Sequence, residues 1–341
     1  MTVLRTAGGR SLRWRPRSLV VVAGTALLAV VLGVLAVGGG DYPMSPADVL
    51  RTLTGGGSAA EEFIVGELRL PRLVTALGVG AALALSGAVV QTLLRNPLGS
   101  PDMVGITQGA ATGGLVVVVL GGSSLALSGA ALVGGLGTGL LIRAVAGSRG
   151  LAGHRLVLVG IGVMAILTGV NGWLLTRAPL MDAARAVLWL TGSLDGRGWA
   201  QAVPLLGVLT VLTPVVLAGG RAMAMVELGD ETATALGVPV ARVRQVLLGA
   251  AVLLASVAAA AAGPVSFVAL TASHLARRLT RAPGPNLVAS ALTGSVLLVA
   301  ADLVAQRALT GQQLPVGVVT GVLGGTYLVW LLAARRRAGR N

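Results

Sequence analysis

Cysteine is absent from the 341 residues, and so is lysine, because all 26 basic side chains are arginine. The first absence removes disulfide frameworks, thiolate metal sites and cysteine nucleophiles together. The second removes the G-x-x-x-x-G-K-[ST] phosphate loop, whose lysine reaches the nucleotide phosphates, so the chain has no P-loop route to ATP hydrolysis. Charge is scarce as well, at 11% of residues against 55% hydrophobic, and the mean hydropathy is +0.87. These values exclude a water-soluble domain and indicate an integral membrane protein.

A bilayer core of roughly 30 Å requires about 20 apolar residues per helical span. Uncharged intervals of that order fill most of the chain, at 18–40, 73–94, 103–142, 156–176, 198–220, 245–276, 282–301 and 308–334. Two are too long for one helix. The third divides at Gly121, Gly122, Ser123 and Ser124, and the sixth at Gly263 and Pro264, where proline removes a backbone donor. The expectation is an all-α membrane protein with a single ten-helix domain over 18–334. The piece 265–276 would rise only about 18 Å as a helix and needs shelter from its neighbours. Residues 181–193 are too short to span and read as a surface helix on the outer side. Glycines such as Gly109, Gly113, Gly134, Gly160 and Gly162 let helices approach closely.

The net charge of +14 would suggest a nucleic-acid partner in a soluble protein. Here the arginines stand at the ends of apolar runs, as the positive-inside rule requires. With both termini in the cytoplasm, 19 of the 26 arginines fall inside. That arrangement gives a cytoplasmic basic segment at 1–17, a basic tail at 335–341 and an outer loop at 41–72. The basic N-terminus before an apolar run mimics a signal peptide, but 18–40 is too long for one.

Chemistry inside the membrane is sparse. Asp302 stands beside a predicted span, at that span's outer end. An ion-coupled secondary carrier places an acid or a discontinuous site at the midplane, and neither is visible here, which makes that class the weaker alternative. Energy from a separate ATPase requires a cytoplasmic loop with exposed acids and helical character. The loop at about 221–244 has both, with Asp230 and Glu231 in the first turn of a short helix and Gly237 as its stop. On its own, this segment reads equally as a solvated connection. Gln91, Gln108, Asn171 and Gln201 within spans either face a central pathway or bond across helices.

Several segments carry a resemblance. They are LRLPR at 68–72 followed by GAALALSG at 80–87, Gln91 and RNPLGSP at 95–101; the loop at 227–238; GPVSFV at 263–268 with HLAR at 274–277; and LPVGVVT at 314–320. In this order, from about residue 60 to the C-terminus, the chain resembles the FecCD family, permeases of iron-siderophore, haem and vitamin B12 importers. TRAPGP at 280–285 and QQLP at 312–315 are most similar to the ferric-enterobactin branch.

The resemblance implies a type II ABC importer permease in the cytoplasmic (inner) membrane, moving ferric-siderophore complexes by alternating access without covalent chemistry. Its alternative is a haem or cobalamin permease. Implied partners are a cytoplasmic ABC ATPase dimer, a second and usually different permease, and an external siderophore-binding protein; no cofactor or metal is implied. Leu228, Gly229, Asp230, Glu231, Thr232, Ala233, Leu236, Gly237 and Val238 match the loop that couples to the ATPase. Arg69 and Arg72 match basic residues that dock the binding protein, or else they anchor a helix start at the headgroups. At the third docking position Gln306 stands beside Arg307, and Arg307 carries the role. Gly153 and His154 match the inner gate, with a solvated loop histidine as the other reading. Ser273 and Ala269 depart from the family's proline and glycine, which bears on local helix shape.

Overall fold

A chain surrounded by hydrocarbon must close its backbone hydrogen bonds within each segment, and helices do so. The structure, a computed structural model, describes residues 2–5, 11–147, 154–309 and 313–338. Its helices are α1 (Pro16–Gly38), α2 (Pro46–Leu53), α3 (Ala59–Phe63), α4 (Leu70–Leu94), α5 (Ile106–Val119), α6 (Ser124–Ala146), α7 (His154–Arg177) and α8 (Leu180–Leu190), followed by α9 (Trp199–Ala218), α10 (Gly220–Glu227), α11 (Asp230–Ala235), α12 (Val240–Ala262), α13 (Val268–Thr280), α14 (Leu287–Arg307) and α15 (Val316–Ala338). A π-helical stretch, Ile64–Arg69, runs from α3 into α4 without a break. The exception to helix lies in the basic N-terminal segment, where β1 (Thr2–Arg5) and β2 (Ser11–Trp14) pair antiparallel. The all-α expectation did not include that hairpin.

Among the described residues seven helical segments are long and apolar enough to cross a membrane, and α5 and the apolar part of α15 are shorter. Both overlong intervals divide as expected. Between α5 and α6 the chain turns at Gly121, whose φ of +70° suits glycine, and Ser123 caps α6 by accepting from the Ala126 amide. Between α12 and α13 the backbone breaks at 263–267. Shelter for this break comes from the segment after α8: the Ser193 amide donates to Ala262 O at 2.8 Å, Gly192 lies against Pro264, and the Gly317 amide at the start of α15 holds that segment through Gly192 O at 3.0 Å. The 181–193 surface helix is α8.

Helix α5 starts later than the uncharged interval, because residues 95–105 fold back instead of continuing into it. Asn96 Oδ1 accepts from the Leu98 amide, and Gly105 lies on the α7 backbone at Gly160 and Met164. The outer loop also has more structure than expected. Ser45 with Asp48, and Ser58 with Glu61, form capping boxes on α2 and α3.

The bundle is organised around α4, which is buried over nearly its whole length and touches α9, α12, α13 and α14. Small residues make this closeness possible. A Cβ on Gly80 would strike the α14 backbone at Gly294, one on Gly294 would strike Gly80, and one on Gly87 would strike the α13 backbone at Ala269. The α5–α6 pair is built alike, with Gly109 and Gly113 facing Gly134 and Ala130. Polar groups in the spans bond across helices: Gln91 to the Leu270 carbonyl and Ser273, and Asn171 to Gln108 and Thr112. Gln201 instead accepts from the Gly198 amide at the start of α9.

Gly80→Val or Gly294→Val is expected to destabilise the protein by about 1–3 kcal/mol through overpacking. Detergent thermal melts check this: the midpoint falls for both, whereas Gly137→Ala, with nothing within 4 Å of its added carbon, does not lower it.

Candidate functional site

The acidic loop between α9 and α12 folds as an elbow of two short helices. Leu228 ends α10, Gly229 takes a φ of +119° that changes the chain's direction, and α11 follows with Asp230 and Glu231 in its first turn. Gly237, at a φ of +83°, stops α11. Ala233 and Val238 turn inward and anchor the elbow beside Met223 and Val226. Leu228, Glu231, Thr232, Leu236 and Gly237 are exposed. Two uncovered leucines flanking an acid on a projecting turn make a small amphipathic face.

Asp230 is not part of that face. Its carboxylate accepts from both terminal nitrogens of Arg244 in α12, at 2.6 and 2.7 Å, with Arg95 at 3.6 Å. Arg244 is 6% exposed, so a bidentate counter-ion is what makes its burial tolerable. The hydrogen bonds from Arg244, followed by its charge and that of Arg95, hold the Asp230 carboxyl below its ordinary value against the opposing effect of burial. A second pair joins Glu227 of α10 to Arg277 of α13 at 2.8 Å. Arg95 itself ends α4 in the left-handed conformation.

At the opposite end of the bundle the three arginines singled out in the sequence surround one cavity of about 490 Å³. Arg72 is committed internally: Nε and Nη2 donate to the two carboxylate oxygens of Asp302 at 3.0 and 2.9 Å, and Nη1 donates to Gln313 at 3.0 Å. Gln306 donates to the same Asp302 at 2.7 Å. This explains why a buried acid is tolerated near the end of α14, and why glutamine beside Arg307 is useful there. Arg69 donates to the carbonyls of Val37 and Tyr42 at 2.8 and 2.7 Å, tying α4 to the end of α1. Arg307 is exposed and lies against Gly39. Sequence reasoning missed Arg197, which lines the cavity with its partner carbonyl at Ser193; its position just before a predicted span was the available signal.

Of the two gate residues, Gly153 lies outside the described residues. His154 begins α7, and its side chain is likewise outside them. His274 meets the Pro97 carbonyl through Nε2, which ties α13 to the chain after α4. Ser273, where the resemblance expects proline, donates to Gln91 Oε1 at 2.8 Å. Among the described residues no cluster of acids and histidines is arranged to hold a metal ion.

The chain is similar to known proteins along most of its length. The model of the FecCD transport family matches residues 27–334. The ferric enterobactin transport system permease protein FepG of Escherichia coli (strain K12) is 44% identical over 309 residues, 90% of this chain and 94% of that protein. The iron(3+)-hydroxamate import system permease protein FhuG of Bacillus subtilis (strain 168) is 36% identical over 93% of this chain and 97% of its own length. The vitamin B12 import system permease protein BtuC of Escherichia coli (strain ATCC 8739) is 34% identical over 99% of this chain and all of its own. A solved chain from an inward-facing metal-chelate type ABC transporter superposes with a TM-score of 0.82 at 27% identity, covering 92% of this chain and 99% of that one.

Asp230→Asn removes the charge that answers Arg244 and is expected to cost about 1–3 kcal/mol. A carboxyl whose folded pKa is depressed contributes stability above its ordinary value, and loses it as acid titrates the folded form. The stability gap between the two proteins therefore holds from about pH 7 to about pH 5. It begins to narrow as pH falls through the ordinary 3.8 and is gone only below the lower value of the folded form. Thermal melts of both proteins across that range check the sign.

Proposed function

The chain belongs to the FecCD transport family, a family of transport permeases, and on that premise we propose that it carries ferric-siderophore complexes inward as one half of a permease pair. A separate cytoplasmic ATPase dimer supplies the energy, and an external binding protein delivers the cargo. The absence of lysine, and with it of a P-loop, supports a separate ATPase. The single observation that carries the reading is the elbow, a projecting turn that shows Leu228, Glu231 and Leu236 while Asp230 and Glu227 bind it to α12 and α13. A partner that grips this face moves helices, not merely a loop.

Ten spans follow if α5, α13 and α15 join the seven longer segments. With both termini cytoplasmic, the elbow faces the cytoplasm and the arginine cavity faces outward, as the distribution of arginines supports. Binding-protein docking then falls to Arg307 and the accessible parts of Arg69 and Arg72, and Gly153 with His154 stands at the inner gate. The likeness to FepG and FhuG favours a siderophore cargo. The likeness to BtuC keeps cobalamin as the second reading.

The test is uptake of radiolabelled iron, offered as a siderophore panel, in cells lacking the chain and in cells restored with it or with Glu231→Arg. Like charges brought together at an interface cost several kcal/mol, so the variant is expected to lose uptake by roughly tenfold or more. Normal iron uptake with a cobalamin or haem defect would reassign the cargo; no defect in any of the three would overturn the importer reading.

A further inference from the structure

Helix α13 is short, and the chain bends at both of its ends. Phe267 before it and Arg281 after it sit at positive φ, 66° and 48°, a conformation that side chains rarely adopt and that marks a place where the backbone is held under constraint. Among the described residues no other helix is bracketed by left-handed residues other than glycine on both sides. Between these bends α13 is an unbroken 13-residue rod.

Each end of the rod is attached to something different. At its first end Phe267 seats against α15, where a Cβ on Gly324 would run into the aromatic side chain. At its last turn Arg277 reaches two other elements with one nitrogen: Nη2 donates to Glu227 Oε1 and to Thr92 Oγ1, each at 2.8 Å. Glu227 is the last residue of α10 and Thr92 lies in the final turn of α4. The Arg277 Nε is buried without a partner, so the guanidinium has given up water there, and the charge of Glu227 is what offsets that loss.

The elbow's other pair behaves differently. Arg244 belongs to the first turns of α12, a 23-residue helix packed along α4 and α6, so Asp230 fixes the elbow to a long element; α13 is packed too, along α14 and α4, but it is short and bends at both ends. Glu227 fixes it to the one rod that has a bend at either end. We propose that Arg277 is a positioning residue for transport: through Glu227 it makes α13 follow the elbow, the chain bends at Phe267 and Arg281, and Phe267 passes the displacement to α15. The proposal rests on the reading of α10 and α11 as the ATPase-docking elbow.

The test replaces the chromosomal copy with tagged Arg277→Glu, Glu227→Arg, the double swap, and Arg277→Lys. Three quantities are read for each: chain in the membrane, ATPase co-purifying from solubilised membranes, and uptake from the radio-iron siderophore panel. The single charge reversals are expected to keep their abundance and their ATPase while losing uptake by about tenfold or more, the range of a typical coupling between sites. The double swap and Arg277→Lys recover most of that loss. Single reversals within about twofold of the unaltered chain, or a double swap no better than the singles, would overturn the proposal. Single reversals that vanish from the membrane mark the pair as structural, and singles that lose the ATPase mark it as part of the docking face; either result also overturns it. If no ATPase accompanies the unaltered chain, the elbow reading fails first and the proposal falls with it.

Discussion

Neither hydrocarbon nor the packed interior of a helical bundle offers free hydrogen bonds or counter-ions, and most features of this chain answer that constraint. Backbone breaks occur at 95–105 and 263–267, and each is answered from within the protein. The first uses its own Asn96 side chain and the α7 backbone, and the second uses the segment after α8, which the start of α15 holds in turn. Buried charges are handled in the same way. Asp302 is enclosed by Arg72 and Gln306, and Arg244 by Asp230. Glycine at the α4 crossings lets these partners come close enough to act, since a side chain at Gly80, Gly87 or Gly294 would push the helices apart.

This way of balancing charge also concentrates mechanical connections. At the elbow, two carboxylates that neutralise arginines become two points of attachment, one on a long packed helix and one on a short rod between bends. At the opposite end, Arg72 clamps α4 to α14 and Arg69 clamps α4 to the end of α1. Helix α4 therefore has ionic or hydrogen-bonded ties at both ends, and its middle is fixed by backbone-close packing. A bundle of this kind transmits displacement along its stiff elements and bends at the breaks between them.

Much of this architecture was legible in the sequence, because breaks announce themselves chemically. The Gly-Gly-Ser-Ser turn at 121–124, Gly263-Pro264, and the acid-started, glycine-stopped helix α11 all stood where local chemistry required. What stayed hidden depends on residues far apart. Arg72 and Asp302 are 230 positions apart, so nothing local shows that a candidate docking arginine is already paired. Asp230 and Glu231 are equivalent in the sequence, yet about 100° of helical rotation separates them, and only the position of α12 decides which one turns inward. The motifs Ser45-x-x-Asp48 and Ser58-x-x-Glu61 are readable as capping boxes, although the helices they start are too short to show an apolar period.

Inward transport as proposed depends on a nucleotide-hydrolysing partner that grips the exposed face of the elbow. Because the chain contains no cysteine, Leu236→Cys provides a single reactive site on that face, where leucine is 60% exposed. A photoactivatable crosslinker placed there in native membranes, followed by mass spectrometry of the adduct, identifies what touches that face. The predicted result is one dominant adduct with an ABC ATPase, lost when the same probe is moved to the opposite end of the bundle at Arg307→Cys. An elbow probe that captures only lipid, or a protein without a nucleotide-binding domain, would contradict it.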